Sequence, residues 1–220
     1  RHTGRSLDDE ANSDWLWHGR RVYLYDGATV TMPDTAANQK AYPQIPTQRP
    51  GLGSPIARLG VIMSLSSGAI LSVGFRRYSG KGQSELNLLR EMWNLFETGD
   101  VLLADRLMCS WREMTMLKQR GVDTVTRLCR RTADFRRGKR LGKDDHIVHW
   151  PKPKHRTGDK NAYQALPDFL AVRETRVRIE QRGFQTKTII VVTTILNTEQ
   201  ATKEDLASLY LARWNNELDL

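Results

Sequence analysis

The sequence predicts an α/β fold in which helices flank a mixed β-sheet, with a β-rich insertion before the last helix. Three strand-like segments near the start are followed by alternating helix and strand patterns. A basic segment interrupts this alternation, and two further long strands precede a final helix. At 220 residues, with 39% apolar and 27% charged residues, the chain is long enough for one substantial core.

The composition excludes several classes of protein. No apolar run approaches the ~18 residues that a transmembrane helix needs, and the start does not resemble a signal peptide. We therefore expect a cytoplasmic protein without a membrane partner. The two cysteines, Cys109 and Cys129, lack the spacing of a metal site, so we expect free thiols.

The first 100 residues predict an amino-terminal arm followed by three antiparallel strands. Residues 1–20 are polar and lack an initial Met, which suggests a fragment of a longer protein. Residues 21–32 have strand composition interrupted by Asp26-Gly27, which places Asp26 at or near a strand end. Residues 33–55 contain five prolines and predict a loop. Strands over 58–66 and 69–78 are joined by Ser67-Gly68, a hairpin signal.

The next segments alternate between helix and strand. Apolar residues at three- and four-residue steps predict a helix over 84–98, and 101–104 predicts a buried strand that ends at Asp105. Ser110 and Glu113 form a capping-box pattern for a helix to about residue 120, followed by a strand over 122–128. Strands near 170–180 and 187–196, linked by a turn at 182–183, precede the last helix, over 202–220, whose cap is Thr202 with Asp205.

Positive charge is concentrated in one part of the chain. Residues 127–160 carry twelve Lys and Arg against four Asp, which is +8 of the total net charge of +9. So local an excess predicts a surface that binds a polyanion, with nucleic acid as the first candidate. We expect the contacts from Arg136, Arg137, Lys139 and Arg140. The alternative is a solvated, mobile loop.

The last helix places three functional groups on one face. Tyr210, Arg213 and Glu217 lie at offsets of zero, three and seven, which at roughly 100° per residue brings them within about 60° of one another. A carboxylate there could hold a metal, and the guanidinium and hydroxyl could hold a phosphate. The alternative is an amphipathic helix with a surface Arg213–Glu217 ion pair.

Three carboxylates stand out by position. Asp26 lies on the first strand, Asp105 follows a buried strand, and Glu217 lies on the last helix. Cleavage of a phosphodiester by two hard cations requires about three carboxylates at the metal site. We therefore predict that these three side chains converge. The alternatives are a plain turn at Asp26 and a helix cap at Asp105.

The chain resembles the DDE transposases of bacterial insertion sequences, in the subgroup with Tyr-x2-Arg-x3-Glu-x6-Lys. The matching residues are YDG with Asp26 and the following TVTMPDT, LLADR with Asp105, and YLARWNNEL with Tyr210, Arg213 and Glu217. The last motif is specific, whereas DG and DR alone are weak signals. The motif Lys would fall at position 224, four positions past Leu220, and the expected amino-terminal DNA-binding region is missing. We interpret the chain as a nearly complete catalytic core of a longer protein.

The resemblance implies a ribonuclease H-like catalytic domain. Its first part would be residues 21–128, its basic β-rich insertion 129–200, and its last core helix 201–220, preceded by the arm over 1–20. Asp26 would bridge two Mg²⁺ ions, with Asp105 and Glu217 each completing one, and Mn²⁺ could substitute. Tyr210 and Arg213 would hold a phosphate near the scissile bond. The partners would be element ends and target DNA, bound by a homodimer in a bacterial cell at the nucleoid.

Two further features of the basic segment have competing interpretations. His146, His149 and His155 are close in sequence, but they lack a fourth ligand and lie in positive surroundings, so we do not expect zinc. The HIVHW stretch predicts a strand. Its Trp150 could stack on an unpaired base, or it could simply pack in the core.

The implied function is metal-dependent DNA cleavage followed by strand transfer, as in cut-and-paste transposition. Two alternatives stay open. Another ribonuclease H-like nuclease, such as a junction nuclease, would share the carboxylates but would not require the Tyr-Arg-Glu helix. An inactive remnant would keep the basic insertion and bind DNA without turnover.

Overall fold

The protein is described by a computed structural model that covers residues 2–129, 131–154, 159–179 and 187–218. Within these ranges the side chains of residues 2, 3, 187 and 214–218 lie outside the description. The chain divides into two units. The first is formed by Arg1–Trp15 and Tyr23–Phe96, and the second by Leu16–Val22 and Glu97–Leu220.

The first unit is built on a sheet of three antiparallel strands, as the sequence predicts. Its strands are β1 (Val22–Thr31), β2 (Ile56–Ser64) and β3 (Ile70–Arg77), in the order β3-β2-β1. Its helices are α1 (His2–Asp9), α2 (Ala36–Ala41) and α3 (Glu85–Glu91), with 3₁₀ turns at Ser13–Trp15 and Trp93–Leu95. The predicted helix over 84–98 is therefore shorter than expected, because a 3₁₀ turn replaces its second half.

Two glycines allow α3 to lie close to this sheet. A Cβ atom on Gly60 would come within 2.8 Å of the Leu88 side chain, and one on Gly74 within 2.6 Å. Leu88 and its neighbour Leu89 are buried. The helix therefore packs into the space that the missing side chains leave on the central and edge strands.

The segment between β1 and β2 is more ordered than the loop that its prolines predict. It contains α2, whose amino terminus is capped by the Thr35 side chain. Beyond α2 the Gln44 amide donates to the carbonyls of Gln48 and Arg49 and accepts from the backbone amides of Gly51 and Gly53. One side chain thus satisfies four backbone groups of the turn.

In the described part of the second unit, six strands form a mixed sheet. They are β4 (Val101–Ala104), β5 (Asp123–Arg127), β6 (Lys139–Gly142), β7 (Asp145–Pro151), β8 (Phe169–Ile179) and β9 (Lys187–Thr193), in the order β4-β5-β9-β8-β7-β6. Strands β4 and β5 are parallel, and the other neighbours are antiparallel. The predicted α/β class with a mixed sheet and flanking helices is confirmed. Through the β5–β9 pair, the strands of the predicted insertion continue the sheet that β4 and β5 begin.

The described residues of this unit form three α-helices: α4 (Trp111–Gln119), α5 (Lys160–Gln164) and α6 (Lys203–Leu218). Ser110 donates a hydrogen bond to the Glu113 side chain at the start of α4, although it does not cap a helix amide as the capping-box pattern predicts. The predicted turn at 182–183 lies outside the described residues. Among the described helices, none is long and apolar enough to cross a membrane.

A buried carboxylate joins separate parts of the second unit. Asp123 accepts hydrogen bonds from Lys118 Nζ at 2.6 Å, Thr194 Oγ1 at 2.7 Å and Arg20 Nη2 at 2.8 Å. Burial alone would raise the pKa of Asp123, but the bonds from Lys118 and Thr194, the Lys118 charge and the bond from Arg20 together lower it. Asp123 therefore stays ionised and holds α4, β5 and the segment after β9 together.

Candidate active site and nucleic-acid interface

Asp26 lies in the middle of a continuous strand, so the prediction that it stands near a strand end is wrong. Strand β1 runs through to Thr31, and Asp26 is opposite Val61 of β2. Gly27 is extended rather than turned. A Cβ atom there would come within 3.0 Å of the Glu85 side chain, so the glycine allows close approach of α3 instead of a bend.

The alternation of β1 separates Asp26 from the helix side of the sheet. The hydroxyl of Tyr25 donates to the carbonyl of Glu85 in α3, and burial raises the pKa of this tyrosine. Successive side chains point to opposite faces, so Asp26 lies on the other face. Its carboxylate is half-buried and accepts a hydrogen bond from the Gly27 amide at 2.9 Å.

Asp105 directly follows β4, as the sequence predicts. The four residues of β4 are at most 1% exposed, which is typical of a strand covered on both faces. The Asp105 backbone is extended, and its carbonyl accepts from the Met108 amide to begin a 3₁₀ turn over Arg106–Met108. The side chain is half-buried and does not cap that turn, so the helix-cap alternative lacks support.

Helix α6 carries the third carboxylate position, and one of its faces is buried. Leu206, Leu209, Tyr210 and Arg213 are each at most 4% exposed. The Arg213 guanidinium lies 5.9 Å from the centre of the Tyr210 ring. Glu217 lies one turn beyond Arg213, in the same helix, and its side chain is outside the description. The burial of Arg213 argues against the alternative of a solvent-exposed ion pair at this end of α6.

The start of α6 is fixed by three sets of contacts. Thr202 and Asp205 exchange hydrogen bonds, since the Asp205 amide donates to the Thr202 hydroxyl and the Thr202 amide donates to the Asp205 carboxylate, which confirms the predicted cap. The bonds from Thr202, aided by His18, lower the pKa of Asp205. Lys203 Nζ donates to the Lys143 carbonyl, and a buried arginine, Arg173, donates to the carbonyl of Ala201.

Asp26 and Asp105 fit a hard cation by their chemistry. Neither carboxylate forms an ion pair with another described residue, although both are half-buried, where an unpaired charge is unfavourable. Within the described part of the chain no group of three potential metal ligands comes together. Asp26 belongs to the first unit, Asp105 and Glu217 belong to the second, and their convergence stays a prediction.

Helix α6 and strand β4 are in contact within the second unit. Helix α6 packs mainly against β8 and also against β4, β5 and β9. The helix that carries Glu217 therefore contacts the strand that Asp105 follows. Whether these two carboxylates meet at one site stays a prediction, because the Glu217 side chain lies outside the description.

Residues 134–151 of the basic segment form a turn and a β-hairpin, in contrast to the loop considered as the alternative. A turn over 134–138 leads into β6, which pairs with β7. The side chains of Arg136 and Arg137 are 90% and 83% exposed, and Lys139 and Arg140 on β6 are also exposed. Ion pairs with Asp134 hold both arginines at the turn. These four residues present positive charge to solvent, and their contact with DNA stays a prediction.

Trp150 is packed inside the second unit, so the structure supports the packing interpretation over base stacking. It is 5% exposed and belongs to a cluster with Trp111, Met114, Tyr163, Leu166, Leu170, Val172 and Val192. The Arg131 guanidinium lies 4.6 Å from the centre of its ring. The indole NH donates to Glu174 at 2.8 Å, and the Trp150 carbonyl accepts from Trp111. The ring therefore has no open face on which a base could stack.

The three histidines do not form a described metal group. Both ring nitrogens of His146 are in hydrogen bonds, His149 is exposed on β7, and His155 lies outside the described residues. A ring nitrogen that is already bonded to a carbonyl or a carboxylate is not available to a metal. The engagement of His146 thus argues against zinc on chemical grounds.

Sequence reasoning missed the buried charges on β7 and β8. Asp145, His146, Arg173 and Glu174 are each at most 6% exposed, and they pair with one another across the two strands. A charge-rich strand usually indicates a solvated face. The sequence RETRVRI on β8 carried a signal for this burial. Arg173 and Glu174 are adjacent, and adjacent side chains of a strand point to opposite faces, so they cannot both face solvent.

The comparison with protein families identifies the class of the protein. Residues 17–219 match the family described as the Transposase DDE domain. The chain therefore belongs to this family, as the motifs around Asp26, Asp105 and Glu217 suggest. A comparison with curated proteins found no match.

Two solved structures show a distant similarity. One is the piggyBac transposase synaptic complex with hairpin DNA, with 9% identity and a TM-score of 0.47, covering 90% of this chain and 38% of that chain. The other is the NurA nuclease from Sulfolobus solfataricus, with 12% identity and a TM-score of 0.44, covering 99% of this chain and 86% of that one. This chain thus spans less than half of the piggyBac chain. Both TM-scores are below 0.5, so the assignment rests on the family match.

Proposed function

We propose that this chain is the catalytic domain of a DNA transposase that cleaves DNA at the ends of an insertion sequence and transfers the cut strand to target DNA. The family match over residues 17–219 supports this proposal. The observation that carries it further is the packing of α6 against β4, since it joins the elements that hold Glu217 and Asp105. A cut-and-paste route in a bacterial cell, with a homodimer bound to the DNA, is part of the proposal.

Asp26, Asp105 and Glu217 would hold the divalent cations, with Mg²⁺ as the physiological ion and Mn²⁺ as a substitute. Carboxylate oxygens are the ligands that these ions prefer. When bound, such ions lower the pKa of an attacking water or hydroxyl and stabilise the leaving oxygen. The exposed charges of Arg136, Arg137, Lys139 and Arg140 would hold the DNA backbone. Tyr210 and Arg213 would orient a phosphate next to the carboxylates.

A nicking assay with matched carboxylate variants tests the proposal. The protein is incubated with supercoiled DNA that carries candidate element ends, with Mg²⁺ or with EDTA. We expect Mg²⁺-dependent nicking that falls by orders of magnitude in Asp105→Asn and Glu217→Gln. The control is Glu204→Gln, which changes an exposed carboxylate in the first turn of the same helix and should leave the rate unchanged.

The products separate the proposed function from its alternatives. Joining of the cut 3′ end to a second DNA supports a transposase, whereas nicking of branched DNA without joining supports a junction nuclease. Binding of DNA without any nicking supports an inactive remnant. Nicking by a folded Glu217→Gln variant at the unmodified rate would remove this residue from the mechanism.

A further inference from the structure

His146 lies between two oxygen acceptors inside the second unit. Its Nδ1 atom is 2.7 Å from the carbonyl oxygen of Arg137, and its Nε2 atom is 3.0 Å from Oε2 of Glu174. The other carboxylate oxygen of Glu174 accepts from the indole NH of Trp150. His146 and Glu174 are 1% and 4% exposed, and the bond between them is buried, whereas the bond to the Arg137 carbonyl is part-buried.

The two hydrogen bonds of His146 require one more proton than a neutral His146 and an ionised Glu174 carry together. A carbonyl oxygen only accepts, so Nδ1 must donate to Arg137. The contact between Nε2 and Glu174 then needs a second proton, either on the imidazole or on the carboxyl group. When this shared proton leaves, one of the two hydrogen bonds of His146 is lost, whichever group had held it.

The backbone carbonyl that accepts from His146 belongs to Arg137, in the turn over 134–138. Residues Asp134 to Gly138 form this turn, closed by the Arg137 amide on the Asp134 carbonyl. The ring of Phe135, also in the turn, lies 4.7 Å from the ring of His146. Two contacts of one buried imidazole thus fix the backbone from which the exposed side chains of Arg136 and Arg137 project.

We propose that His146 is a positioning residue that holds the turn over 134–138 in a fixed shape for contact with the DNA backbone, and that the proton shared with Glu174 makes this contact weaker at high pH. The inference rests on the proposed function, because it assumes that Arg136 and Arg137 contact DNA. A turn that is already ordered avoids the loss of conformational entropy that a mobile one meets on binding.

Several charged or titratable groups surround this pair. Cys109 lies close enough to Glu174 for the carboxylate to contribute to the raised pKa of the thiol, whose largest cause is burial. Arg131 lies over the Trp150 ring, and Arg176 lies over Phe135 while it pairs with Asp144. Arg140 lies opposite His146 on β6, with its side chain exposed, and Arg131 and Arg176 are separated from the pair by aromatic rings.

Three variants test the inference with a labelled DNA duplex of arbitrary sequence. His146→Phe keeps a ring but removes both bonds, and it should weaken binding on the order of tenfold while the dependence on salt is kept, because the arginines remain. Glu174→Gln can donate to a neutral His146 and still accept from Trp150. The Glu174→Gln variant should therefore bind DNA as tightly as the unmodified protein binds it near pH 6. His149→Gln, on the exposed part of the same strand, is the control for direct titration.

The decisive measurement is affinity from about pH 6 to about pH 9. We expect the affinity of the unmodified protein and of His149→Gln to fall by several-fold as pH rises, and that of Glu174→Gln to stay constant. A Glu174→Gln profile that follows the unmodified protein would overturn the inference, even if His146→Phe does not fold. So would unchanged affinity in a folded His146→Phe variant.

Arg136→Ala combined with Arg137→Ala separates this inference from the function on which it rests. A smaller salt slope in this double variant supports contact between the turn and DNA. An unchanged slope would overturn that contact and the inference with it. A smaller salt slope in the double variant, together with unchanged DNA affinity in His146→Phe, would overturn only the positioning role of His146.

Discussion

Arg173 and Asp145 form a two-pronged ion pair in the interior of the second unit. Nε of the arginine is 2.8 Å from one carboxylate oxygen, and Nη2 is 2.6 Å from the other. The third nitrogen donates to the carbonyl of Ala201, just before α6. Their side chains are 1% and 7% exposed. The pair therefore connects β7, β8 and the start of the helix that carries Glu217.

Removing one charge of this pair should be strongly destabilising. Asp145→Asn leaves the buried guanidinium without its countercharge, so we expect the free energy of unfolding to fall by about 3–5 kcal/mol. Denaturation by urea measures the difference. The matched control is Asp144→Asn, which breaks the more exposed pair between the turn before β7 and Arg176 on β8 and should cost less than about 1 kcal/mol. Equal effects of the two variants would contradict the role given to the buried pair.

The hydrogen bonds that Asp123 accepts predict a specific dependence of stability on pH. The pKa of Asp123 is lower in the folded protein than its ordinary value, so the unfolded chain binds a proton more readily. Its contribution is present above about pH 4 and is lost as pH falls through the folded pKa. We expect Asp123→Asn to lower the free energy of unfolding at pH 7 by about 1–3 kcal/mol and to flatten its acid dependence. Urea denaturation from neutral to acidic pH measures both effects, and an unaltered acid dependence in the variant would exclude this carboxylate as a cause.

Two glycines of the basic hairpin provide a matched pair of variants. Gly138 has φ of +76°, and a Cβ atom there would lie 2.1 Å from the carbonyl oxygen of Ile147. Gly142 has no heavy atom within 4 Å of the same position. We expect Gly138→Ala to destabilise the hairpin by about 1–3 kcal/mol and Gly142→Ala to be nearly neutral. Hydrogen exchange of the β6 and β7 amides measures the difference, and similar protection in both variants would contradict it.

The exposed charges of the hairpin should contribute to the salt dependence of DNA binding. Replacement of Arg136, Arg137, Lys139 and Arg140 by Ala should reduce the slope of log K against log salt by a few units at most, since each neutralised phosphate contributes about 0.9. Fluorescence anisotropy at several salt concentrations gives the slope. A control with Ala at Arg5, Lys40, Arg49 and Lys81 removes the same charge from exposed positions elsewhere. If both variants change the slope equally, total charge rather than the hairpin determines binding.

The features that the sequence predicted correctly depend on local patterns. Asp105 follows a short apolar run, and the cap formed by Thr202 and Asp205 lies within four residues. Each pattern is complete in a few positions, so composition and spacing are sufficient to recognise it. The same holds for the three antiparallel strands at the start, although Gly27 lies within β1 and not at the predicted strand end. A glycine indicates either a turn or close packing, and only the position of Glu85 decides between the two.

The features that it missed depend on residues far apart in the chain. Trp150 looked available for stacking, but its indole donates to Glu174, 24 positions later. Arg173 and Asp145 are 28 positions apart, and nothing near either one indicates the other. Burial of a polar side chain is stable only with its partner, so it follows from strand pairing rather than from composition. Glu217 is indicated by its spacing on one helix face with Tyr210 and Arg213 and by the family motif, and its place at the site stays a prediction.

The pairing of β5 with β9 has a consequence for the order of folding. Within the first unit the strands pair with their sequence neighbours, so this three-stranded sheet can form once residue 96 has left the ribosome. Val125 of β5, in contrast, pairs with Thr193 of β9, after the whole basic hairpin and β8. Long-range pairings of this kind form slowly because a long loop must close first. During translation one side of β5 stays without its neighbour until β9 leaves the ribosome, and α6 emerges later still.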